Sequence, residues 1–354
     1  MKGWERELMT RDSQSFHRRT VLKTISGGVV AGGFFAGVST AGRHCDITVE
    51  DGESIQSAIN AAGSGDTVCV KPGTYQEDVV VHTADITLTG QGNVVVEGTG
   101  HSGAAISIEA SGVTVERLRV QHPDGNLGIA SRDGLENVTI RDTRVSDIGP
   151  FGRLGPTGIL AEAQTGLTIA NNSVSGVTET EVSAQGIFLN NDQGSVVDGE
   201  VVGNSVSDVF IDDAGWGGAM GILVQTSGAT IRNNNVQDLT GSWAQGVNVH
   251  GGNDASVIDN HLEGMMGRNY DGESVKIESG GASDIEVTEN TLLATVGVFN
   301  DSGDELDATC NYWGARNGPD ADDNDGDGSE VRGNVAYRPW KVGRGGGNNC
   351  RGGE

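Results

Sequence analysis

Lysine is scarce in this chain of 354 residues, and no basic stripe is visible along it. The five lysines are Lys2, Lys23, Lys71, Lys276 and Lys341, and the formal net charge is -26, spread along the whole chain. Because binding to nucleic acid requires clustered Lys and Arg to neutralise phosphates, this composition argues against nucleic acid as a partner. An acidic surface of this kind is expected of a protein that stays soluble in concentrated salt, where charges are strongly screened.

Cysteine is also rare, and no C-x-x-C pair occurs, which makes metal ligation by thiolates the weaker interpretation. The four cysteines form one pair near each end of the predicted mature chain. Three connectivities are possible, and we favour Cys45 with Cys69 and Cys310 with Cys350. Proline is limited to 6 residues whereas glycine reaches 57, so a single large domain is possible only if its fold tolerates many turns.

The N-terminal segment has the features of an export signal. Twin arginines Arg18 and Arg19 precede a small-residue apolar run that ends near Ala41. This pattern predicts a twin-arginine signal over residues 1–42, cleaved near Ala41, and an extracellular or cell-surface location. An uncleaved anchor is the alternative. Cys45 is not preceded by the small residues that a lipoprotein signal has before its cysteine, so we expect no lipid on Cys45.

A repeat organises the chain. Seven stretches share a short apolar strand and a turn, and in six of them an asparagine precedes the last apolar position by two residues: Asn172, Asn204, Asn234, Asn260, Asn290 and Asn311, with Thr143 in the earliest copy. Such short units cannot bury their apolar faces alone and must stack. Asparagine tolerates left-handed backbone angles, and its amide can bond the asparagine of the next coil. The sequence predicts an all-β, single-stranded right-handed parallel β-helix of about 9–10 coils over residues 43–340, followed by a Gly-rich tail over 341–354.

A second strand repeats upstream of these turns, for example "GIASR" (128–132), "GVNVH" (246–250) and "SVKIE" (274–278). Counting five places in each copy, alternation along a strand directs places two and four inward and places three and five outward. Place three holds Ala130, Leu160, Phe188, Leu223, Asn248, Lys276 and Phe299. Place five holds Arg132, Glu162, Asn190, Gln225, His250, Glu278 and Asp301.

A short amphipathic helix is predicted ahead of the coils, where it would cover the open first coil. Its apolar spacing is carried by Ile55, Ala58, Ile59 and Ala62, its start can be capped by Ser54 or Asp51, and Gly63 can end it. Without such a lid, the strand edges of the first coil would be exposed to self-association.

The segment that contains this helix, residues 51–81, and "ITLTGQG" (86–92) resemble the entry to the pectin-lyase-like superfamily of right-handed parallel β-helix proteins. "CNYWGARNGPD" (310–320) resembles the closing motif of NosD-like carbohydrate-binding surface proteins, here of a haloarchaeal secreted type. The resemblance covers about residues 46 to 340 and implies the fold. It does not imply one reaction, because this scaffold hosts lyases, hydrolases, epimerases, esterases, adhesins and proteins without enzymatic activity.

Stacking of the coils predicts a polar cluster of Asn248, His250, Lys276 and Glu278, within about 5 to 10 Å of one another. We expect Arg132, Glu162, Asn190, Gln225 and Asn248 to bind a polysaccharide, and we expect a monomer. Loops after the asparagine turns carry Phe151, Trp216, Trp243 and Tyr270, which can form an aromatic shelf for sugar rings. The alternative is that each aromatic side chain covers its own loop.

Three functions remain open, and plain polysaccharide binding is favoured over catalysis. In a uronate lyase or epimerase, His250, Lys276 and Glu278 would be catalytic, with Arg132, Arg268 or calcium neutralising the sugar carboxylate. Since Glu278 favours the charged lysine, His250 is the better base. A hydrolase would use Asp192, Asp212 and Asp213, since the order of motifs resembles the polygalacturonase signature, but the register argues against it because Asp212 and Asp213 fall in a loop before their strand. A surface or adhesion protein needs no chemistry.

Calcium is the one cofactor that the sequence suggests. Asp323, Asp325 and Asp327 stand before Gly328 with the spacing of a calcium loop, and an ion there would brace the C-terminal cap. The twelfth place is Asn334, where a bidentate glutamate would be expected, and an acidic chain also contains such runs by chance.

Overall fold

Short strands recur along the chain in a fixed order, and each pairs in parallel with its counterpart one turn later. The computed structural model describes residues 44–100, 103–150, 155–162, 164–191, 199–212, 217–279, 282–344 and 350–353. Residues 44–354 form one compact unit. The predicted signal segment, 1–42, lies outside the described residues.

The strands form three long sheets, each of which receives one strand from successive turns of the chain. Sheet 1 comprises Ile47–Val49, Thr67–Val70, Thr87–Gly90, Thr114–Glu116, Thr139–Arg141, Leu167–Ala170, Gly199–Val202, Ala229–Arg232, Ser256–Ile258, Glu286–Thr288, Leu306–Asp307 and Val335–Ala336. Sheet 2 comprises Gly73–Gln76, Val94–Glu97, Arg119–His122, Arg144–Ile148, Ser173–Glu179, Ser205–Ile211, Asn235–Gly241, His261–Gly267 and Thr291–Leu292. Sheet 3 comprises Val79–Val81, Ala104–Ile108, Leu127–Ser131, Thr157–Ala161, Ala184–Leu189, Gly218–Val224, Trp243–Val249, Gly272–Ile277, Val296–Asn300 and Glu330–Arg332, extended by the hairpin strands Asp320–Ala321 and Asn324–Asp325.

The predicted parallel solenoid is confirmed. Sheet 2 has nine strands, one for each turn of the chain that contains all three sheets, in agreement with the expected coil number. The side chains predicted at place two fill the interior and are fully buried: Ile129, Ile159, Ile187, Ile222, Val247, Val275 and Val298. Burial of this continuous apolar column, which no single coil achieves alone, provides the main driving force for stacking.

The asparagine ladder runs between sheets 1 and 2. Asn204 Oδ1 accepts hydrogen bonds from the backbone N (2.9 Å) and from Nδ2 (3.0 Å) of Asn172, and Asn204 Nδ2 donates to the Ile169 carbonyl (2.9 Å). The same pattern continues to Asn311. The prediction that these asparagines adopt left-handed angles is wrong. The preceding residue does so, as at Asn171 (φ 55°) and Asn233 (φ 54°), which leaves the ladder side chain free to point inward.

A column of small residues at place one breaks the expected alternation in sheet 3. A Cβ atom on Gly221 would lie 2.5 Å from the carbonyl oxygen of Gly246 and would collide with the Val236 side chain of sheet 2. Places one and two therefore both face the interior. The residue before place one, called place zero below, consequently points outward.

Both ends of the solenoid are closed. The predicted helix spans Ile55–Ala61, with Ile55, Ala58 and Ile59 buried, and the N-cap Ser54 accepts a hydrogen bond from the backbone N of Ser57. The helix ends at an extended Ala62, so Gly63 is not its cap. The side-chain amide of Gln56 donates to the Val80 carbonyl (3.1 Å) and accepts from the Val80 N–H (2.6 Å), on the first strand of sheet 3.

At the other end, Trp340–Lys341 pairs with Cys350–Gly352, and Trp313 is fully buried. The buried Lys341 binds the carbonyl and the carboxylate of Glu289, each at 2.6 Å. The predicted tail thus begins as a packed strand. Both predicted disulfides, Cys45–Cys69 and Cys310–Cys350, are present. Within the described ranges, no helix is long and apolar enough to cross a membrane.

Candidate functional site

The outer face of sheet 3 has the register that the sequence predicts. At place three, Ala130 pairs with Leu160, Leu223 with Asn248, Asn248 with Lys276, and Lys276 with Phe299. Place five is aligned by backbone hydrogen bonds such as His250 N to the Val224 carbonyl (2.8 Å) and Glu278 N to the Val249 carbonyl (2.9 Å). Residues distant in sequence therefore share one exterior ribbon.

Lys276 lies at the centre of the charged part of this ribbon. Its side chain is nearly buried, and its Nζ atom lies 3.8 Å from Glu278 Oε2 and 3.7 Å from Asp301 Oδ2. The same atom lies 3.3 Å from the centroid of the Phe299 ring. Two carboxyl groups and an aromatic face thus engage the Lys276 side chain from three directions.

A chain of amide hydrogen bonds links two carboxylates beside Lys276. Gln245 Nε2 donates to Glu273 Oε2 (2.6 Å), Asn248 Nδ2 donates to Gln245 Oε1 (2.5 Å), and the same Nδ2 lies 3.2 Å from Glu278 Oε1. Asn248 is 2% exposed, and its Oδ1 atom accepts no hydrogen bond within the described part of the chain. The network therefore has room for one further donor, such as water or a sugar hydroxyl.

An open groove of about 400 Å³ adjoins this network at the corner of sheets 2 and 3. Its lining includes Arg268, Tyr270, Asp271, Glu273, Phe299 and Arg332. Arg332 Nη2 binds Asp271 (2.6 Å) and Glu330 (2.7 Å). Arg268 donates to the carbonyl oxygens of Ile211 and Asp212. The groove thus combines aromatic rings, amides and charged groups that already have partners.

Glu273 has an unusual environment for a carboxyl group. Burial raises the pKa of the Glu273 carboxyl group. The hydrogen bond from Gln245 and the charge of Lys276 lower this pKa and so offset part of the increase. Desolvation favours the neutral carboxylic acid. Glu273 is therefore the group on this face best placed to carry a proton that it can donate.

His250 is exposed at the end of Trp243–Val249, as predicted, and shares the ribbon with Glu278. It does not line the groove, and no side-chain hydrogen bond to its imidazole is found among the described residues. Its catalytic role stays a prediction.

Arg132 and Glu162 line a separate groove of about 170 Å³ with Ala130 and Leu160. Arg132 is paired with Glu109 (2.7 Å), and its strand lies five strands from that of Lys276 along sheet 3, about 24 Å away. The structure therefore does not bring Arg132 to the charged cluster, where the lyase hypothesis placed it. Asn190 and Gln225 directly follow the strands Ala184–Leu189 and Gly218–Val224, which lie between the two grooves in sheet 3.

The predicted aromatic shelf is present only in part. Tyr270 is exposed in the groove, at 54%. Trp243 is not in a loop: it begins a strand of sheet 3, half-buried, with its indole against Gly218 of the preceding strand. Trp216 and Phe151 lie outside the described residues.

The remaining predicted aspartates are not brought together. Asp192 and Asp213 lie outside the described residues, and Asp212 is an exposed residue after its sheet 2 strand. Asp323 forms an ion pair with Arg338 (2.6 Å) and accepts a hydrogen bond from Tyr337. Asp327 accepts a hydrogen bond from Asn317 (3.1 Å). These contacts lower the pKa of Asp323, with the Tyr337 hydrogen bond as the largest cause.

Asp323, Asp325 and Asp327 therefore do not form the expected calcium site. In the part of the chain that the structure describes, no group of three His, Cys, Asp or Glu side chains could hold a metal ion.

The sequence prediction missed Gln245 and Glu273 because strict alternation assigned place zero to the interior. The residues in register at this place are Thr157, Gln185, Met220, Gln245, Glu273 and Val296. Four of these six residues are polar, and all but one stand before a glycine at place one, a signal that could have revealed the outward direction.

Comparison with known proteins agrees with this architecture. Similar solved structures include an alginate lyase from Paenibacillus sp. (15% identity, 82% of this chain and 98% of that chain, TM-score 0.52). They also include the A-module of a mannuronan C-5 epimerase from Azotobacter vinelandii (17%, 81% and 93%, 0.43). A third is the enzymatically active domain of tailspike protein 2 from bacteriophage CBA120 (14%, 79% and 48%, 0.46). At these identities the likeness concerns the fold alone.

No curated protein matches the chain in sequence. The family described as "Right handed beta helix region" matches residues 86–292, more than half of the chain. This match gives the handedness of the solenoid. The chain therefore belongs to the right-handed β-helix family.

Proposed function

We propose that this protein binds a polysaccharide along the outer face of sheet 3, with the groove at Tyr270 and Phe299 as the main contact. The observation that carries the proposal is the meeting, in one open groove, of an exposed tyrosine with the polar groups of Arg332 and Glu273. The apolar face of a sugar packs on an aromatic ring while its hydroxyls bond to polar groups.

The shape of the surface favours a polymer over a single sugar. The place-three column runs from Ala130 through Leu160, Phe188 and Leu223 to Lys276 and Phe299 across parallel strands. Six steps of about 4.8 Å give a ribbon of about 29 Å. The second groove, at Arg132 and Glu162, lies at the far end of this ribbon.

Export of a salt-adapted protein is part of the proposal. The twin arginines at Arg18 and Arg19 and the net charge of -26 are its sequence basis, and two disulfides fit a compartment outside the cytosol. In the native host, we expect the variant with Arg18→Lys and Arg19→Lys to remain in the cell fraction while the natural sequence is exported.

Affinity electrophoresis in concentrated salt tests the binding. Gels containing one polysaccharide each should retard the natural protein, and Tyr270→Ala should weaken retardation about tenfold, equivalent to about 1.4 kcal/mol. Met266→Ala is the matched control, since Met266 is 59% exposed on sheet 2 and does not line the groove. Absence of retardation by every polysaccharide would contradict the proposal and favour a structural surface protein.

A further inference from the structure

The charges around the groove indicate which class of polysaccharide it accepts. Arg332 is held by Asp271 and Glu330, Lys276 lies between Glu278 and Asp301, and Arg268 donates to backbone carbonyls. A polyanionic chain would need cations that are available to its carboxylates or sulfates. Three cations here face five carboxylates, counting Glu273, so an uncharged chain suits the groove better.

Two carboxyl groups in the groove have contrasting environments. Glu273 is half-buried, and Gln245 holds its Oε2 atom at 2.6 Å, while Asp271 is more exposed and its Oδ2 atom binds Arg332 at 2.6 Å. Only Gly272 separates the two residues in the chain, and both of them line the same groove. Inverting glycoside hydrolysis uses two carboxyl groups about 6.5 to 9.5 Å apart on either side of the scissile bond, a separation that leaves room for the attacking water.

We propose that Glu273 and Asp271 form an acid–base pair that hydrolyses a glycosidic bond of an uncharged polysaccharide lying in the groove. This inference rests on the proposed binding at the same groove. Glu273 is the general acid, and Asp271, whose carboxyl group is paired with Arg332, is the general base. Lys276 is paired with Glu278 and Asp301 beside the acid–base pair, and these three residues take no part in proton transfer.

The step balances with water as the only co-reactant. Glu273 gives its proton to the glycosidic oxygen as the bond from that oxygen to the anomeric carbon breaks. Asp271 removes a proton from water, whose oxygen forms the new bond to the anomeric carbon. Two hydroxyl-ended chains result, one with a new reducing end, and solvent returns the proton from Asp271 to Glu273.

Three features of the site favour these roles. Burial raises the pKa of Glu273, which is the direction of shift that a general acid requires. The unpaired Asn248 Oδ1 atom, two hydrogen bonds from Glu273, leaves an acceptor for a donor from water or a sugar. Lyase chemistry is disfavoured, because the cations on this face that could neutralise a uronate already have partners.

Reducing-end release tests the inference. The full chain is incubated in concentrated salt with starch, laminarin, xylan and galactomannan, and separately with alginate and polygalacturonate. We expect new reducing ends from at least one uncharged polymer and from neither polyanion, without absorbance from unsaturated products. Glu273→Gln and Asp271→Asn should each lower kcat by about 10²- to 10⁴-fold while gel retardation by the same polymer is kept. The exposed Glu286→Gln on sheet 1 should leave kcat unchanged.

The outcomes separate the two proposals. Retardation without reducing ends from any uncharged polymer overturns hydrolysis and leaves binding intact, whereas absence of retardation overturns binding itself. Turnover of Glu273→Gln at the natural rate, or unsaturated products from a polyanion, also overturns the acid–base assignment. Unfolding curves of each variant are recorded, and loss of activity with a loss of fold is resolved by Glu273→Asp, which keeps a carboxyl group and should retain partial turnover.

Discussion

Lys276 and Phe299 face each other on adjacent strands of sheet 3, with the ammonium nitrogen 3.3 Å from the ring centroid. Replacing Lys276 by Met keeps the apolar stem and removes the charge. We expect the free energy of unfolding to fall by about 1–2 kcal/mol, through loss of the cation–π contact and of the pairing with Glu278 and Asp301. Urea unfolding at a fixed salt concentration measures this change in the free energy of unfolding. Lys71→Met, which removes a bond to Gln91, is the control, and an equal effect of both changes would contradict the prediction.

The asparagine ladder should be sensitive to single truncations. In Asn234→Ala, the backbone N and Nδ2 of Asn204 lose their acceptor and the Val201 carbonyl loses its donor, all in the buried interior. We expect a loss of about 3 kcal/mol or more, because each unsatisfied buried group costs about 1–3 kcal/mol. The neighbouring Asn235→Ala, which removes a single partly buried contact to Gln237, should cost under about 1 kcal/mol in the same denaturant titration.

The glycine column should reject even one methyl group. Gly221→Ala places a Cβ atom against the Gly246 carbonyl and the Val236 side chain, so sheets 2 and 3 must separate locally. We expect a loss of about 1–3 kcal/mol, typical of overpacking. Calorimetric Tm values compare it with Gly343→Ala, where a Cβ would meet nothing within 4 Å. Equal Tm values for the two variants would show that the coil accommodates the methyl group.

The stability of the natural protein should depend on pH through Glu273. Burial raises the pKa of this group above its ordinary value of 4.5, so its contribution is fully present below pH 4.5 and is lost as pH rises through the raised value. The free energy of unfolding of the natural protein, relative to that of Glu273→Gln, should therefore decrease as pH increases from 4 to 7. A difference that stays constant over this range would show that Glu273 titrates alike in both states.

Removing the C-terminal disulfide should loosen the last strand pair. Its sequence separation is 40 residues, and chain-entropy estimates give about 3–4 kcal/mol for a loop of this length. The double variant Cys310→Ala with Cys350→Ala should lose stability of this order and become cleavable near Trp340 by a protease. The Cys45–Cys69 pair, with a separation of 24, is the control: its removal should leave the Trp340 region protected.

The stacking and its register could be predicted because they follow from two simple periodicities. The recurring asparagine at one turn showed how successive coils align. Alternation at places two to five correctly predicted that Val247 and Val249 point inward and that His250 points outward. The Cys45–Cys69 and Cys310–Cys350 pairs followed from their positions at the two chain ends.

The groove could not be predicted because it depends on departures from those periodicities. The inward small residue at place one, Gly246 or Ser274, turns the preceding Gln245 or Glu273 outward, which a strict two-residue period does not allow. Asp271 and Arg332 are far apart in sequence and meet only because the closing turns place Glu330–Arg332 beside Val296–Asn300. The calcium hypothesis failed for a related reason, since Asp323 is engaged by Arg338 and Tyr337 from another segment.

If the first strand of a solenoid has free backbone hydrogen-bonding groups, a second copy of the protein could pair with that strand and lengthen the sheet. At Val80, both hydrogen-bonding groups that such a copy would need are already taken by one glutamine side chain. This edge of sheet 3 is therefore closed to pairing with a second copy, and the length of the proposed binding face is set by the coil count of one chain.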